Sequence, residues 1–172
     1  SRLSDFVLTF GNRPRILVSG LYRFRAKPLM NQPEFQLDWR LEADTRFVLD
    51  APLCRIGLMD DARFPWLILV PRVPNVREWP DLGSIQQMQL QVEINAAARA
   101  LQAVFPHGQK LNIAALGNVV PQLHIHVILR HEGDAAWPAP VWNSGARVAY
   151  AEAEATDVLE RLSSMLSQSF SD

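Results

Sequence analysis

Two of the chain's four histidines, His124 and His126, stand two residues apart in Val120-Pro121-Gln122-Leu123-His124-Ile125-His126-Val127-Ile128-Leu129-Arg130. Apolar residues alternate there with Gln122, His124 and His126, the period of two that a strand with one buried face requires. Leu123, Ile125, Val127 and Leu129 are predicted to face a core, and Gln122, His124, His126 and Ile128 to share the opposite face. A rise of roughly 3.4 Å per residue sets the two imidazoles about 7 Å apart along the strand. Three roles fit such a pair. The rings can be structural, bonded to their neighbours. They can bind a metal, since imidazole is the commonest zinc ligand, although no HExxH, CxxC or carboxylate at ligand spacing supplies a third donor. Or they can work at phosphorus, one imidazole attacking while the other handles charge or protons beside the leaving group.

The elements that position this stretch follow from pattern and punctuation. Asp38 to Asp44 reads as a short helix with Asp38 as its N-cap, carrying Leu37, Trp39 and Leu41 toward the body. Arg46 to Asp50, Cys54 to Met59 and Trp66 to Pro71 read as strands, the last two joined as a hairpin through Asp60-Asp61-Ala62-Arg63-Phe64-Pro65. The continuous apolar run Trp66 to Val70 suits a strand covered on both faces. Ser84-Ile85-Gln86-Gln87 has the form of a capping box and predicts a long helix that ends at Pro106 and Gly108. Its apolar face is predicted to be wide, with Ile85, Met88, Val92 and Ala96 in one stripe and Leu90, Ile94, Leu101 and Val104 near a second. Lys110 to Leu116 is next a strand, closed by Gly117-Asn118. After Arg130 the chain turns polar and flexible through Asp134, then gives Trp137-Pro138-Ala139-Pro140-Val141-Trp142, an extended arm that must cover something. Residues 149–168 read as an amphipathic helix bearing Val158, Leu162, Met165 and Leu166.

Composition narrows the class. At 172 residues, with 48% hydrophobic and 20% charged residues, the chain is expected to hold one globular domain, residues 34–172. The net charge of −1 and the lack of any membrane-length apolar run point away from nucleic-acid and membrane partners. A single cysteine, Cys54, excludes an intrachain disulfide and suits a reducing, cytoplasmic setting. Residues 1–33 differ from the rest: Arg2, Arg13, Arg15, Arg23, Arg25 and Lys27 face only Asp5. They read as an extension outside the core, ahead of a start at Met30, in preference to a targeting peptide, with Ile16-Leu17-Val18 as an isolated strand at most.

Gln122-Leu123-His124-Ile125-His126-Val127-Ile128 resembles the signature of the histidine triad family of nucleotidyl hydrolases and transferases, in which three histidines alternate with apolar residues. The context over residues 37–142 is similar too: the Leu58-Met59-Asp60 hairpin, the strand ending in Pro71-Arg72, the long helix, the strand near Asn112, the Gly117-Asn118 turn and the Trp-Pro arm. The expected fold is α+β, an antiparallel sheet of about five strands carrying the long helix, with further helices at both ends. The resemblance implies that His124 attacks the α-phosphate of a dinucleoside polyphosphate or another nucleoside phosphate ester or amide. It implies a nucleotidyl-histidine intermediate, with His126 donating to the phosphate oxygens or the departing group. Asp60 matches the ribose-binding acid, with Asp61 the fallback, and Asn112 and Asn118 match polar positions around the phosphates. No cofactor is required, although magnesium would accompany a polyphosphate. The implied partners are the nucleotide and a second copy of the chain, paired through the long helix and an edge strand.

Three departures bear on the chemistry. Gln122 replaces the first histidine, but the group that orients the nucleophile is the backbone carbonyl of that position, which glutamine supplies equally. Val119 sits where many members carry a serine that donates to the leaving group, and Trp66 and Pro74 replace histidines of some branches. The competing reading is a nucleotide-binding module that has lost catalysis. A metal-dependent phosphodiesterase is the third.

Overall fold

The computed structural model describes residues 34–171; the basic N-terminal segment and the strand considered at Ile16-Leu17-Val18 lie outside them. In chain order the elements are α1 (Trp39–Asp44), β1 (Thr45–Asp50), β2 (Cys54–Met59), β3 (Trp66–Pro71), α2 (Ser84–Val104), β4 (Lys110–Ala114), β5 (Ile125–Arg130) and α3 (Glu152–Ser169). A short 3-10 turn, Trp79–Asp81, precedes α2. The five strands form one sheet in the order β1-β2-β3-β5-β4, every neighbouring pair antiparallel. The α+β fold and the strand count are those expected.

β3 and β5 lie side by side within the sheet, and every residue of both is buried. Alternation sends Leu67, Leu69, Ile125, Val127 and Leu129 into a core closed by α2 and α3, through Leu90, Ile94, Leu101, Val158 and Leu162. Trp66, Ile68, Val70 and Ile128 face a second, smaller core closed by Leu41 of α1, Phe64, Val120 and Val141. His126 pairs with Ile68 across the β3–β5 ladder and with Ala114 across β4–β5, so its side chain belongs to this second face. The helix-side core is therefore the platform, and the smaller core beside α1 lies on the face that carries His126.

Several local expectations are corrected. Trp39 is 72% exposed, while Leu41 alone of α1 is fully buried; a six-residue helix has room for one inward face. Asp38 caps α1 as predicted, accepting from the Arg40 amide at 3.0 Å. The α2 cap is shifted by one residue: Gly83 is the N-cap and its amide donates to Gln86 Oε1 at 2.9 Å, whereas Gln87 turns back to the Leu82 carbonyl at 2.8 Å. The wide apolar face of α2 divides. Leu90, Ile94, Leu101 and Val104 pack, but Ile85, Met88 and Val92 face solvent. β4 stops at Ala114 because Gly117, at φ 66°, turns the chain through the left-handed region. β5 begins at Ile125, five residues later than the alternation suggests. Pro121 has no amide to give a ladder, and the Leu123 amide goes to the Val76 carbonyl at 3.1 Å. The C-terminal helix starts at Glu152, and its Met165 stays at the surface.

Two buried charges tie the ends of the sheet. Glu93 of α2 is wholly buried and accepts from the Leu53 and Cys54 amides at 2.7 and 2.9 Å and from Gln89 Nε2 at 2.8 Å, closing the start of β2. Arg130, at the end of β5, is 1% exposed. Its Nε and Nη2 donate to the two carboxylate oxygens of Asp134 at 2.6 and 2.7 Å, in the stretch that reads as flexible from sequence. A planar guanidinium meeting both oxygens of one carboxylate is the geometry in which such a pair is strongest.

Candidate active site

His124 immediately precedes β5 and His126 is its second residue. The His124 Nδ1 lies 2.7 Å from the Gln122 carbonyl oxygen. A carbonyl can only accept, so Nδ1 carries the proton and Nε2 keeps a free lone pair. The His126 Nδ1 lies 3.1 Å from the Trp66 indole nitrogen. An indole N–H can only donate, so here Nδ1 is bare and Nε2 carries the proton. Two histidines two residues apart thus hold opposite tautomers, one presenting a nucleophilic nitrogen and the other an N–H. Their ring centroids are 4.9 Å apart, closer than the 7 Å of an ideal strand, because His124 lies outside the ladder. Trp142 closes the far side, its ring centroid 5.3 Å from that of His126 and edge-on to it.

A cleft of about 480 Å³ opens beside the pair, lined by Arg40, Asp44, Asn118, Val119 and Trp142 together with both histidines. Arg40 bonds the Val119 carbonyl at 2.8 Å and takes both oxygens of Asp38 at 2.9 and 2.8 Å. That pairing, ahead of all other causes, holds the Asp38 carboxyl down at about 2. The Gln122 side chain does not enter the cleft. Its Oε1 accepts from the Asp38 amide at 2.9 Å and its Nε2 donates to the Gln36 carbonyl at 2.9 Å, clamping the start of α1 beside His124.

Of the residues singled out from sequence, the structure brings together His124, His126, Asn118 and the Gln122 carbonyl. It does not bring Asp60 or Asn112 to the cleft. Asp60 accepts from Arg46 Nε at 2.9 Å and from the Tyr150 amide at 3.2 Å. Burial pushes its carboxyl up, but these donors outweigh that and leave it below the usual range. Asp61, the fallback, is buried against Arg63. Asn112 Oδ1 is committed to Arg130 Nη1 at 3.1 Å. Sequence reasoning passed over Arg40, Asp44 and the Trp66 N–H. The last had a signal: a buried indole must find an acceptor, and Trp66 is on the strand beside His126. Among the described residues no three His, Cys, Asp or Glu side chains cluster as a metal site requires.

The comparisons agree with this arrangement. Residues 40–133 match the HIT domain. A histidine triad protein from Bradyrhizobium japonicum is 45% identical, with 78% of this chain and 99% of that chain covered at a TM-score of 0.76. One from Marinobacter aquaeolei is also 45% identical, over 79% of this chain and 98% of its own, with a TM-score of 0.76. One from Sinorhizobium meliloti is 43% identical, over 74% and 94%, with a TM-score of 0.72. No curated protein matches. The family model and these neighbours support a nucleotide-binding, hydrolase-like class. The chain belongs to the histidine triad (HIT) family. No helix among the described residues is long and apolar enough to cross a membrane.

Burial, and after it the neighbouring His124, pull the His126 pKa down to about 3 from its ordinary 6.5. Between those values the unfolded chain binds a proton that the folded chain does not, so stability falls as the pH drops, by up to about 1.4 kcal/mol per unit. Urea unfolding at pH 7 and pH 5 is expected to differ by about 2 kcal/mol, and His126→Asn to remove most of that difference. The paired carboxyls of Asp38 and Asp134, both at about 2, add their loss only below about pH 4.

Proposed function

We propose that the protein is a nucleotide hydrolase or transferase that cleaves a nucleoside phosphoanhydride, ester or amide at the α-phosphate through a nucleotidyl-His124 intermediate. The observation that carries this is the His124 ring itself. The Gln122 carbonyl fixes Nδ1–H, and Nε2 is left as a lone pair on a ring whose centroid is 4.9 Å from that of His126. Attack by Nε2 forms the P–N bond and expels the leaving group, and water then releases the nucleoside monophosphate. The His126 Nε2–H donates to a non-bridging phosphate oxygen, where charge grows in the transition state. Arg40, its charge paired with Asp38, lines the cleft, and Asn118 adds a further polar group.

For the ribose, Asp44 takes the part first given to Asp60. It lines the cleft, is half exposed, and is shared with Arg147 at 2.8 Å. The test is to incubate the protein with diadenosine polyphosphates and with adenosine phosphoramidate, before and after exhaustive chelation. Release of AMP that survives chelation supports the covalent route. Loss of turnover on chelation favours a metal-dependent phosphodiesterase, and AMP binding without turnover favours a silent binding module. The last reading draws on Val119, which presents an apolar, 77% exposed side chain at the cleft instead of a hydroxyl.

The same reading includes a homodimer. The unpacked stripe Ile85, Met88 and Val92 on α2 is matched by exposed Ile113 on the edge strand β4. Ile113 pairs with Val127, whose side chain is in the α2-side core, so Ile113 projects to the α2 side of the sheet. A second copy laid on this surface would cover both. Sedimentation equilibrium is expected to give a dimer that Met88→Glu converts to a monomer.

A further inference from the structure

Taking His124 as the nucleophile, we propose that Trp66 is a positioning residue that keeps His126 a neutral N–H donor. The site is thereby matched to leaving groups that depart without a proton: a phosphoric anhydride rather than a phosphoramidate or an alkyl ester. The argument starts from the buried bond between Trp66 Nε1 and His126 Nδ1, at 3.1 Å, between rings whose centroids are 5.4 Å apart. Both residues are buried, Trp66 at 6% and His126 at 5% exposure. A protonated imidazole would set an N–H against the indole N–H. The bond would be lost, and a buried donor would be left without a partner.

The bond therefore selects the neutral ring, and a neutral imidazole N–H is far too weak an acid to give up its proton at neutral pH. It can still stabilise a developing oxyanion by hydrogen bonding. The burial of His126 and the nearby His124 act in the same direction. The other charged groups that line the cleft are Arg40, whose guanidinium is paired with Asp38, and Asp44, which is paired with Arg147. The His124 Nδ1–H is held by the Gln122 carbonyl, and Val119 has no proton to give. Trp142, packed on the remaining side of His126, does not titrate.

The bond changes then divide substrates. As the P–Nε2 bond forms, the bond from phosphorus to the leaving group breaks and its electron pair leaves with that group. On an anhydride the pair stays on the oxygen of the departing phosphate or polyphosphate, which is stable as the anion. On an amide or an alkyl ester the pair falls on a nitrogen or an alkoxide oxygen, which needs a proton at that moment. In the second half, water oxygen bonds to phosphorus, the N–P pair returns to Nε2, and one water proton passes to solvent.

The test combines spectroscopy with substrate choice. Nitrogen-15 NMR of the histidine-labelled native protein is expected to show His126 as the single Nε2–H tautomer, still neutral at pH 5. In Trp66→Phe, which keeps a ring but loses the N–H, the tautomers mix and the titration midpoint rises by more than a unit; Trp142→Phe leaves the tautomer unchanged. Native protein is expected to prefer diadenosine tetraphosphate to adenosine phosphoramidate by at least ~100-fold in kcat/KM, and Trp66→Phe to narrow that ratio through kcat as the pH is lowered. A His126 that titrates near 6.5 in the native protein, or a tautomer that Trp66→Phe does not alter, overturns the assignment of Trp66. A native preference for the phosphoramidate overturns the leaving-group inference. Failure to turn over either substrate instead overturns the hydrolase reading, and the NMR result, which needs no turnover, still decides what Trp66 does.

Discussion

His124→Ala is expected to lower the turnover of a diadenosine polyphosphate by at least ~10³-fold and to leave AMP binding within a few-fold of the native value. The size follows from what is removed. In the proposed route the only lone pair placed for attack is that of His124 Nε2, and water attacking directly would do so without the orientation that the Gln122 carbonyl imposes at 2.7 Å. Binding is expected to persist because Arg40, Asp44, Asn118 and Trp142 line the cleft independently of that ring. By contrast, Gln122→Ala keeps the orienting carbonyl and loses only the clamp on Gln36 and Asp38, so its cost should appear mainly in KM. A steady-state comparison of the two variants separates the carbonyl from the side chain.

The largest effect on stability is expected from Asp134→Ala, which should lower the unfolding free energy by about 3–5 kcal/mol. Arg130 and Asp134 have side chains 1% and 2% exposed, and removing the carboxylate leaves a buried guanidinium with Asn112 Oδ1 as its one remaining acceptor among the described residues. The Phe64 and Trp137 rings, 5.6 and 5.9 Å from the guanidinium carbon, cannot replace an anion. Asp134 also receives the Ala136 amide at 3.0 Å, so the loop behind β5 loosens with it. Chemical unfolding at pH 7 checks the value. The double variant Arg130→Met with Asp134→Leu should recover much of the loss, since the cost is that of an unpaired charge.

What the sequence discloses is what period and punctuation can carry. Cys54–Met59 and Trp66–Pro71 occur in the structure as the sequence delimits them, because turn residues bound short apolar runs on both sides. The alternation around His124 and His126 predicts which neighbours enter the helix-side core, and Ile125, Val127 and Leu129 do. Partners distant in sequence are another matter. Asp60 is held by Arg46 and Tyr150, fourteen and ninety residues away, and nothing local tells a ribose acid from a carboxylate already committed. Asn112 and Arg130 are drawn together across the β4–β5 ladder, so each looks free when read alone. On α2, helical periodicity reveals two apolar stripes without saying which one the sheet takes; Leu90 and Ile94 pack while Ile85 and Met88 do not. The opposed tautomers of His124 and His126 need the positions of a carbonyl and an indole N–H, which only the folded chain supplies.

The central claim, a covalent nucleotidyl-His124 intermediate, is most directly tested by intact-protein mass spectrometry after a millisecond pulse with diadenosine tetraphosphate and a quench that preserves acid-labile phosphoramidates. The predicted result is one added adenylyl group per chain, mapped by peptide analysis to His124 and absent from His124→Ala. Turnover at a normal rate with no adduct at any time point, or an adduct mapped to His126, would contradict it.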